Sequence, residues 1–144
     1  MSEFVFRNVP LPPSSNGQYR SGLVRGKIRH FASQELRNFK VAMQAYFLEH
    51  MNNVKIAREL LSGYPLSIHA AFGFERSRLL TKKGSFKRLD VSNRLKALHD
   101  EFAKALLIDD CCFVRISAMK YAVKSKGDEK ATVTIGLTEF EEMV

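Results

Sequence analysis

Acidic side chains stand on both flanks of one predicted helix in the second half of the chain. Asp90 precedes a helix predicted over residues 93–106, and Asp109 and Asp110 follow it. Carboxylate oxygens are the ligands that Mg²⁺ prefers, and a metal can activate water and offset the charge that develops during phosphodiester hydrolysis. The pattern therefore indicates a metal-dependent phosphodiester site, provided that the strands on either side of the helix lie next to each other.

The predicted helix has a polar face as well as an apolar stripe. Asn93, Lys96 and Asp100 are spaced i, i+3, i+7 and therefore share one face. Leu95, Leu98 and Phe102 belong to the separate stripe that would pack on a sheet. An amide, an ammonium and a carboxylate on one face suit a phosphodiester site, because a lysine can stabilise the developing negative charge.

Each of these residues also has an ordinary structural explanation. Asp90 or Ser92 could cap the helix, which would stabilise it by about 1 kcal/mol. Asp109 and Asp110 could form a solvated turn before a strand. Lys96 and Asp100 could be a surface pair at spacing i, i+4 that contributes only a few tenths of a kcal/mol. The acids and the lysine alone leave both interpretations open.

The charge of the chain favours a polyanionic partner. The net charge is +8 although the last six residues carry Glu139, Glu141 and Glu142, so the rest of the chain is more basic than the total suggests. The stretch from Arg76 to Arg88 is predicted as a flexible basic loop, and residues 21–30 as a second one. The candidate phosphate contacts are Lys82, Lys83, Lys87, Arg88 and Arg94.

Alternating and helical patterns predict an α/β protein with a mixed sheet flanked by helices, forming a single domain over residues 1–144. Residues 3–9 predict a strand on which Phe6 and Val9 face opposite sides. Ser33 predicts the start of a helix that continues to Leu61, with a break at residues 52–53. Further strands are predicted at 66–74, 112–121 and 131–138, the last two joined as a hairpin.

Several classes of protein are disfavoured by the sequence. No apolar run approaches the roughly 20 residues that cross a bilayer, and the first residues do not form a secretory signal. We therefore expect a cytoplasmic protein without a membrane partner. The cysteines, Cys111 and Cys112, are adjacent and poorly placed to hold one zinc ion, so we interpret them as small apolar residues in a reducing compartment.

Two motifs in this chain resemble those of the RusA-type Holliday junction resolvases. Asp90, Asn93 and Lys96 form an Asp-x-x-Asn-x-x-Lys motif, which is followed by Asp100 and then by Ile108-Asp109-Asp110. Near the start, Pro12-Pro13-Ser14-Ser15-Asn16 with Tyr19 just after it resembles the family's Pro-Pro-Ser-x-Asn loop. Both motifs occur in the expected order, and the resemblance covers about residues 9–137.

The resemblance implies a small α/β homodimer of the phage and prophage type. Such an enzyme binds four-way DNA junctions and nicks two strands symmetrically with Mg²⁺, or with Mn²⁺, during recombination and repair in a bacterial or phage-infected cell. The metal ligands that it implies are Asp90 and Asp110, with Asp109 beside them, and Lys96 matches the family's essential lysine. Asn16 and the proline loop could touch DNA or shape the dimer, and the loop could equally be only a rigid turn.

One position departs from the family pattern. The family usually has a second acid two residues after the first, where this chain has Ser92. A serine hydroxyl can ligate magnesium or hold a metal-bound water, but it brings no charge. Two alternatives to a resolvase follow: a junction-binding or duplex-binding protein that does not cut DNA, and a nuclease that acts on other branched DNA.

Overall fold

Six strands and four helices make up the described part of the chain in a computed structural model that covers residues 3–14 and 18–142. The strands are β1 (Glu3–Val9), β2 (Tyr19–Val24), β3 (Lys27–Ala32), β4 (Leu66–Glu75), β5 (Phe113–Val123) and β6 (Ala131–Leu137). The helices are α1 (Gln34–Glu49), α2 (Met51–Leu61), the single-turn α3 (Arg76–Leu79) and α4 (Ser92–Leu106).

Four strands form one mixed sheet in the order β1-β6-β4-β5. β4 and β5 are parallel, whereas β6 is antiparallel to both β4 and β1. The chain between β4 and β5 contains α4, because parallel neighbours require a crossover connection. The predicted α/β class with mixed strand directions is confirmed, and α4 is the crossover helix between two adjacent strands.

The predicted hairpin of the last two strands is wrong. β5 and β6 do not pair with each other; both pair with β4, which lies between them, and Leu66 faces Phe113 on one side and Leu137 on the other. The connection between them passes the end of β4, where the Gly73 amide donates to the Lys130 carbonyl over 2.8 Å. The sequence predicted both strands, β6 from its alternation, but such patterns do not specify which strand lies beside which.

The first helix begins as predicted and breaks at a different residue. The Ser33 hydroxyl accepts a hydrogen bond from the Leu36 amide at 3.1 Å, which satisfies one of the free amides of the first turn. The break lies at His50, whose φ of −109° and ψ of 24° are outside the helical region, and not at residues 52–53. α2 then ends at Leu61, before Gly63 with its φ of +83°.

The core lies between one face of the sheet and helices α1, α2 and α4. Phe102 of α4 packs edge to face against Phe6 at 5.1 Å and against Phe47 at 5.0 Å between ring centroids. Asn8 has a φ of 55° at an irregularity in the pairing of β1, so that Val9 is buried together with Phe6. The predicted separation of Phe6 and Val9 on opposite faces is therefore wrong.

The two basic segments that were predicted as loops have different structures: residues 21–30 belong to a β-hairpin, whereas residues 76–88 form a loop apart from α3 and one bridge. β2 and β3 pair along their whole length, and positive φ angles at Arg25 (51°) and Gly26 (75°) fit a two-residue type I′ turn. We call Tyr19–Ala32 the hairpin arm. We call residues 80–88 the basic turn; it is closed by a bridge between Leu80 and Phe86. No helix among the described residues has both the length and the apolar character needed to cross a membrane.

Candidate active site

Asp90 lies just before α4 and is held as an exposed carboxylate. Its Oδ1 accepts a hydrogen bond from the Ser92 amide over 2.8 Å. This bond and a side-chain hydrogen bond with Ser92 lower the pKa of Asp90, and the charges of Lys120 and Arg94 lower it further. Asp90 is therefore ionised at neutral pH. Asp90 also acts in part as the helix cap that the sequence suggested, because its carboxylate accepts from one of the free amides of the first helical turn.

Ser92 has a definite role at the position where the family usually has an acid. Its amide and its hydroxyl both hydrogen-bond to Asp90. The N-cap position belongs to Val91, which has no side-chain capping bond. Ser92 thus fixes the carboxylate before it and adds no negative charge of its own.

Asp109 and Asp110 lie beyond the other end of α4, in the turn that leads into β5. Leu107 adopts a left-handed conformation (φ 56°) that ends the helix. The Asp109 Oδ1 accepts from the Cys111 amide at 3.1 Å, and hydrogen bonds to Cys111 and Asp110 lower the pKa of Asp109. Both acids are exposed. Cys111 is exposed too, so the expectation of a small apolar residue fails there.

A single chain does not bring Asp90 and Asp110 together. β4 and β5, the strands before and after α4, are neighbours, as they must be if Asp90 and Asp110 are to meet. They are parallel, however, so the crossover helix α4 runs from one end of the sheet to the other. Its 15 residues span about 22 Å. Lys120, whose ammonium donates to the Leu89 carbonyl beside Asp90, is seven residues along β5 from Phe113, a backbone distance of about 23 Å. Within residues 3–14 and 18–142, no three His, Cys, Asp or Glu side chains form a group that could hold a metal ion.

The polar face of α4 exists as predicted. Asn93, Lys96 and Asp100 all line one small cavity of about 120 Å³. The rest of its lining comes from Ala97 of α4, from α1 and from Gln18 at the base of the hairpin arm. Lys96 is exposed, so its ammonium is accessible to a phosphate.

The structure brings the two sequence motifs together. The Gln18 side-chain amide donates to the Pro13 carbonyl at 3.0 Å and to the Asn93 carbonyl at 3.2 Å. The Arg94 Nη1 donates to the Pro12 carbonyl at 2.6 Å. The proline loop is therefore fastened to the first turn of α4. Asn16, the predicted contact in this loop, lies outside the described residues.

Arg94 is not available as a phosphate contact, and the prediction of this residue as DNA-binding is wrong. Its side chain is buried, with 6% exposure. The guanidinium bonds Pro12 and lies over the Phe74 ring, 5.1 Å from the centroid. Arg94 therefore positions the proline loop and α4.

The basic turn presents cations and one aromatic ring to solvent. Lys82, Lys83, Lys87 and Arg88 are all exposed, and the Lys87 ammonium donates to the Ser77 carbonyl at 2.7 Å. Phe86 is 88% exposed, which is unusual for so large an apolar side chain. Sequence reasoning missed Phe86, although an aromatic residue within a basic polar stretch is a signal that could have found it. It also missed Lys120, whose place beside Asp90 depends on strand register.

Comparison with known proteins gives one informative match. The profile of the family described as Endodeoxyribonuclease RusA matches residues 10–137. No curated protein matches the sequence. A crystal structure of 2C-methyl-D-erythritol 2,4-cyclodiphosphate synthase from Plasmodium vivax is similar at 10% identity and a TM-score of 0.30, covering 92% of this chain and 89% of that chain, and this likeness is too low to bear on fold or function. The family match spans the proline loop, the basic turn, α4 and both following strands, and the chain therefore belongs to the RusA family of endodeoxyribonucleases.

Proposed function

We propose that this nuclease resolves four-way DNA junctions by symmetric nicks in two opposed strands, with Mg²⁺ or Mn²⁺ and as a homodimer. The observation that supports the proposal most strongly is the position of α4. It carries an ionised Asp90 at one end, Asp109 and Asp110 after the other, and Lys96 on its exposed face. The chain belongs to a family of endodeoxyribonucleases, which supports a catalytic role for these carboxylates in a chain of net charge +8.

The acids are suitable ligands for a divalent ion. Asp90, Asp109 and Asp110 are exposed carboxylates, and hydrogen bonds favour the ionised form of the first two. Ionised carboxylates supply the hard oxygen ligands that Mg²⁺ requires. When bound, the metal would supply an activated water and offset charge at the scissile phosphate. Asp90 and Asp110 would hold it, with Asp109 beside them, and Lys96 would orient the phosphate.

The separation of the acids supports a site built from two subunits. β5 is an edge strand of 11 residues with exposed apolar side chains such as Ile116 (51%) and Met119 (48%). Such an edge is open to pairing with another strand. Antiparallel pairing of β5 with its copy about a two-fold axis reverses the ends of the strand. Asp110 of one subunit would then lie near Asp90 of the partner subunit, and symmetry would create two such sites.

The basic turn would bind the DNA backbone beside each site. Lys82, Lys83 and Arg88 would pair with phosphates. Lys87 would also pair with a phosphate once its hydrogen bond to the Ser77 carbonyl is broken. Phe86 would stack on an unpaired base at the branch point. Asn16 would contact DNA from the proline loop. We place this activity in the cytoplasm of a bacterial or phage-infected cell, within recombination and repair.

A second candidate is a junction-binding protein that does not cut DNA. Ser92 favours it, because a neutral residue at this position leaves each site with less negative charge to bind a metal ion. Tight binding of junctions without any cleavage in Mg²⁺ or Mn²⁺ would support this candidate against the resolvase.

Cleavage by the unmodified protein is the direct test of the proposed function. We expect paired nicks in opposed strands of a labelled four-way junction, with little cleavage of a fork or of linear duplex of the same sequence. Chelation with EDTA should abolish cleavage and leave binding in place, since the metal is needed for chemistry and not for phosphate contacts. Preferential cleavage of the fork would instead indicate a nuclease for other branched DNA.

Neutralising two lysines of the basic turn should weaken junction binding. In Lys82→Gln/Lys83→Gln, we expect the plot of log affinity against log salt concentration to become less steep by about 1.8, since each lost phosphate contact accounts for about 0.9. Fluorescence anisotropy over a salt series measures this slope. The matched control is Arg37→Gln/Lys55→Gln, which removes the same charge from exposed positions on α1 and α2. Equal slopes in both variants would exclude the basic turn as the phosphate contact.

A further inference from the structure

We infer that the hairpin arm, Tyr19–Ala32, is a second DNA-contacting element, a β-ribbon that lies in a groove of a duplex arm away from the branch point. The inference rests on the proposed function, because it requires that the protein bind branched DNA. The combination of three features carries it: the arm projects, its charged residues are all cationic, and its tip exposes a pair of apolar side chains.

The arm extends from the body of the protein. At its base, the Ser33 amide donates to the Gln18 carbonyl at 2.7 Å, and the Gln18 side chain bonds Pro13 and Asn93. Every residue from Leu23 to Phe31 is exposed. A two-stranded hairpin alone in water is only marginally stable, so a projecting one gains from a surface to lie on.

The charge on the arm has one sign. Residues 19–32 contain Arg20, Arg25, Lys27 and Arg29 and no Asp or Glu. Lys27 and Arg29 are two positions apart on β3, so their side chains leave the same face of the ribbon, and Arg25 lies in the turn. A ribbon with this spacing presents cations to the phosphates that border a DNA groove.

The opposite face of the ribbon is apolar at its tip. Leu23 and Ile28 are directly paired across the two strands and are 78% and 71% exposed. Further from the tip on this face, the Ser21 hydroxyl lies 3.0 Å from the His30 Nδ1. Proteins that bind the minor groove insert apolar side chains between base steps. On this ribbon Leu23 and Ile28 form the face turned to the bases, and the long side chains of Lys27 and Arg29 reach past the edge of the ribbon to the phosphates.

Electrostatics favour DNA over a second copy of the chain as the molecule that the hairpin arm contacts. An apolar groove close to the core, about 310 Å³ between α1, α2 and α4, is lined by residues that include Phe47, Met51, Arg58 and Lys104. It also contains the buried Glu101, but Lys104 lies 3.6 Å from that carboxylate. A basic arm entering this groove would meet two cations and an acid that already has a countercharge, whereas each phosphate of DNA is a free anion.

Two arm variants test the inference on the intact protein. In Lys27→Gln/Arg29→Gln, we expect affinity for a four-way junction to fall about tenfold at moderate salt and the salt slope to become less steep by about 1.8. In Leu23→Thr/Ile28→Thr, which retains strand-forming residues, we expect affinity to fall with an unchanged slope. Hydroxyl-radical footprints of both variants should lose protection in a duplex arm and keep it at the branch point.

The controls separate failure of the arm from failure of the proposed function. Arg37→Gln/Lys55→Gln should bind like the wild type, and the basic-turn variant should lose protection at the branch point. Wild-type affinity and footprint in both arm variants would overturn the inference while the resolvase stands. Arm variants that become monomeric in sedimentation, with unchanged DNA contacts, would also overturn it by identifying a second copy as the occupant. A wild type that binds no junction would overturn the arm and the proposed function together.

Discussion

Asp110→Asn will abolish junction cleavage and leave junction binding intact. Asparagine has nearly the same shape as aspartate but brings no charge, so a divalent ion loses one of its few anionic ligands. Loss of a group that stabilises charge in the transition state costs on the order of 10²–10³ in rate, and we expect a fall at least that large. Asp110 lies in an exposed turn, so the substitution does not disturb the core.

Single-turnover cleavage with saturating protein measures this effect without interference from binding. Anisotropy on the same junction then reports affinity, which should change less than about threefold. Asp128→Asn is the matched control, because it removes the same charge from an exposed residue between β5 and β6 and should cut at the wild-type rate. Cleavage by Asp110→Asn at that same rate would remove Asp110 from the metal site.

Two inactive variants will restore cleavage when they are combined in one dimer. In the proposed dimer, Asp90 of one subunit shares a metal with Asp110 of the other, so each homodimer of Asp90→Asn or Asp110→Asn has two broken sites. A heterodimer of the two variants has one site that lacks both acids and one site that retains both. We therefore expect it to nick one strand per junction, a gain on the order of 10²–10³ in rate over either homodimer.

Co-expression of differently tagged chains and sequential purification yield the heterodimer, and denaturing gels with each strand labelled count the nicks. A heterodimer of two Asp90→Asn chains should stay inactive, and one of two wild-type chains should make paired nicks. If the mixed heterodimer binds junctions but does not cut, the acids act within one chain and the pairing of β5 with its copy is wrong. The activity of Asp110→Asn alone does not depend on that outcome.

The elements that bury one face were predictable from sequence, as was the largely exposed β5, but the exposed hairpin arm was not. β4 alternates because one of its faces is buried, and α1 shows helical spacing because its stripe packs on the sheet. In the hairpin arm, residues 23–31 are exposed throughout, so no burial pattern marks its strands. The order β1-β6-β4-β5 depends on contacts between distant segments, and local periodicity contains no information about them.

Sequence reasoning selected residues for the site better than it placed them. The shared face of Asn93, Lys96 and Asp100 follows from helical geometry alone and is present. The convergence of Asp90 and Asp110 required the direction of β5 relative to β4, which the sequence does not specify. The prediction for Arg94 failed because its charge suggested an exposed contact. The guanidinium instead lies over the Phe74 ring and donates to the Pro12 carbonyl.

The position of β1 has a consequence for how the protein is made. Among the described residues, β1 is the first strand, and it pairs with β6, which is the last. During synthesis β1 therefore has no partner strand until β6 has left the ribosome. β4 likewise lacks one of its two neighbouring strands until then. Contacts between such distant segments form slowly. The sheet is thus completed only after β6 has been synthesised, and a chaperone that shields β1 and β4 would act before that point.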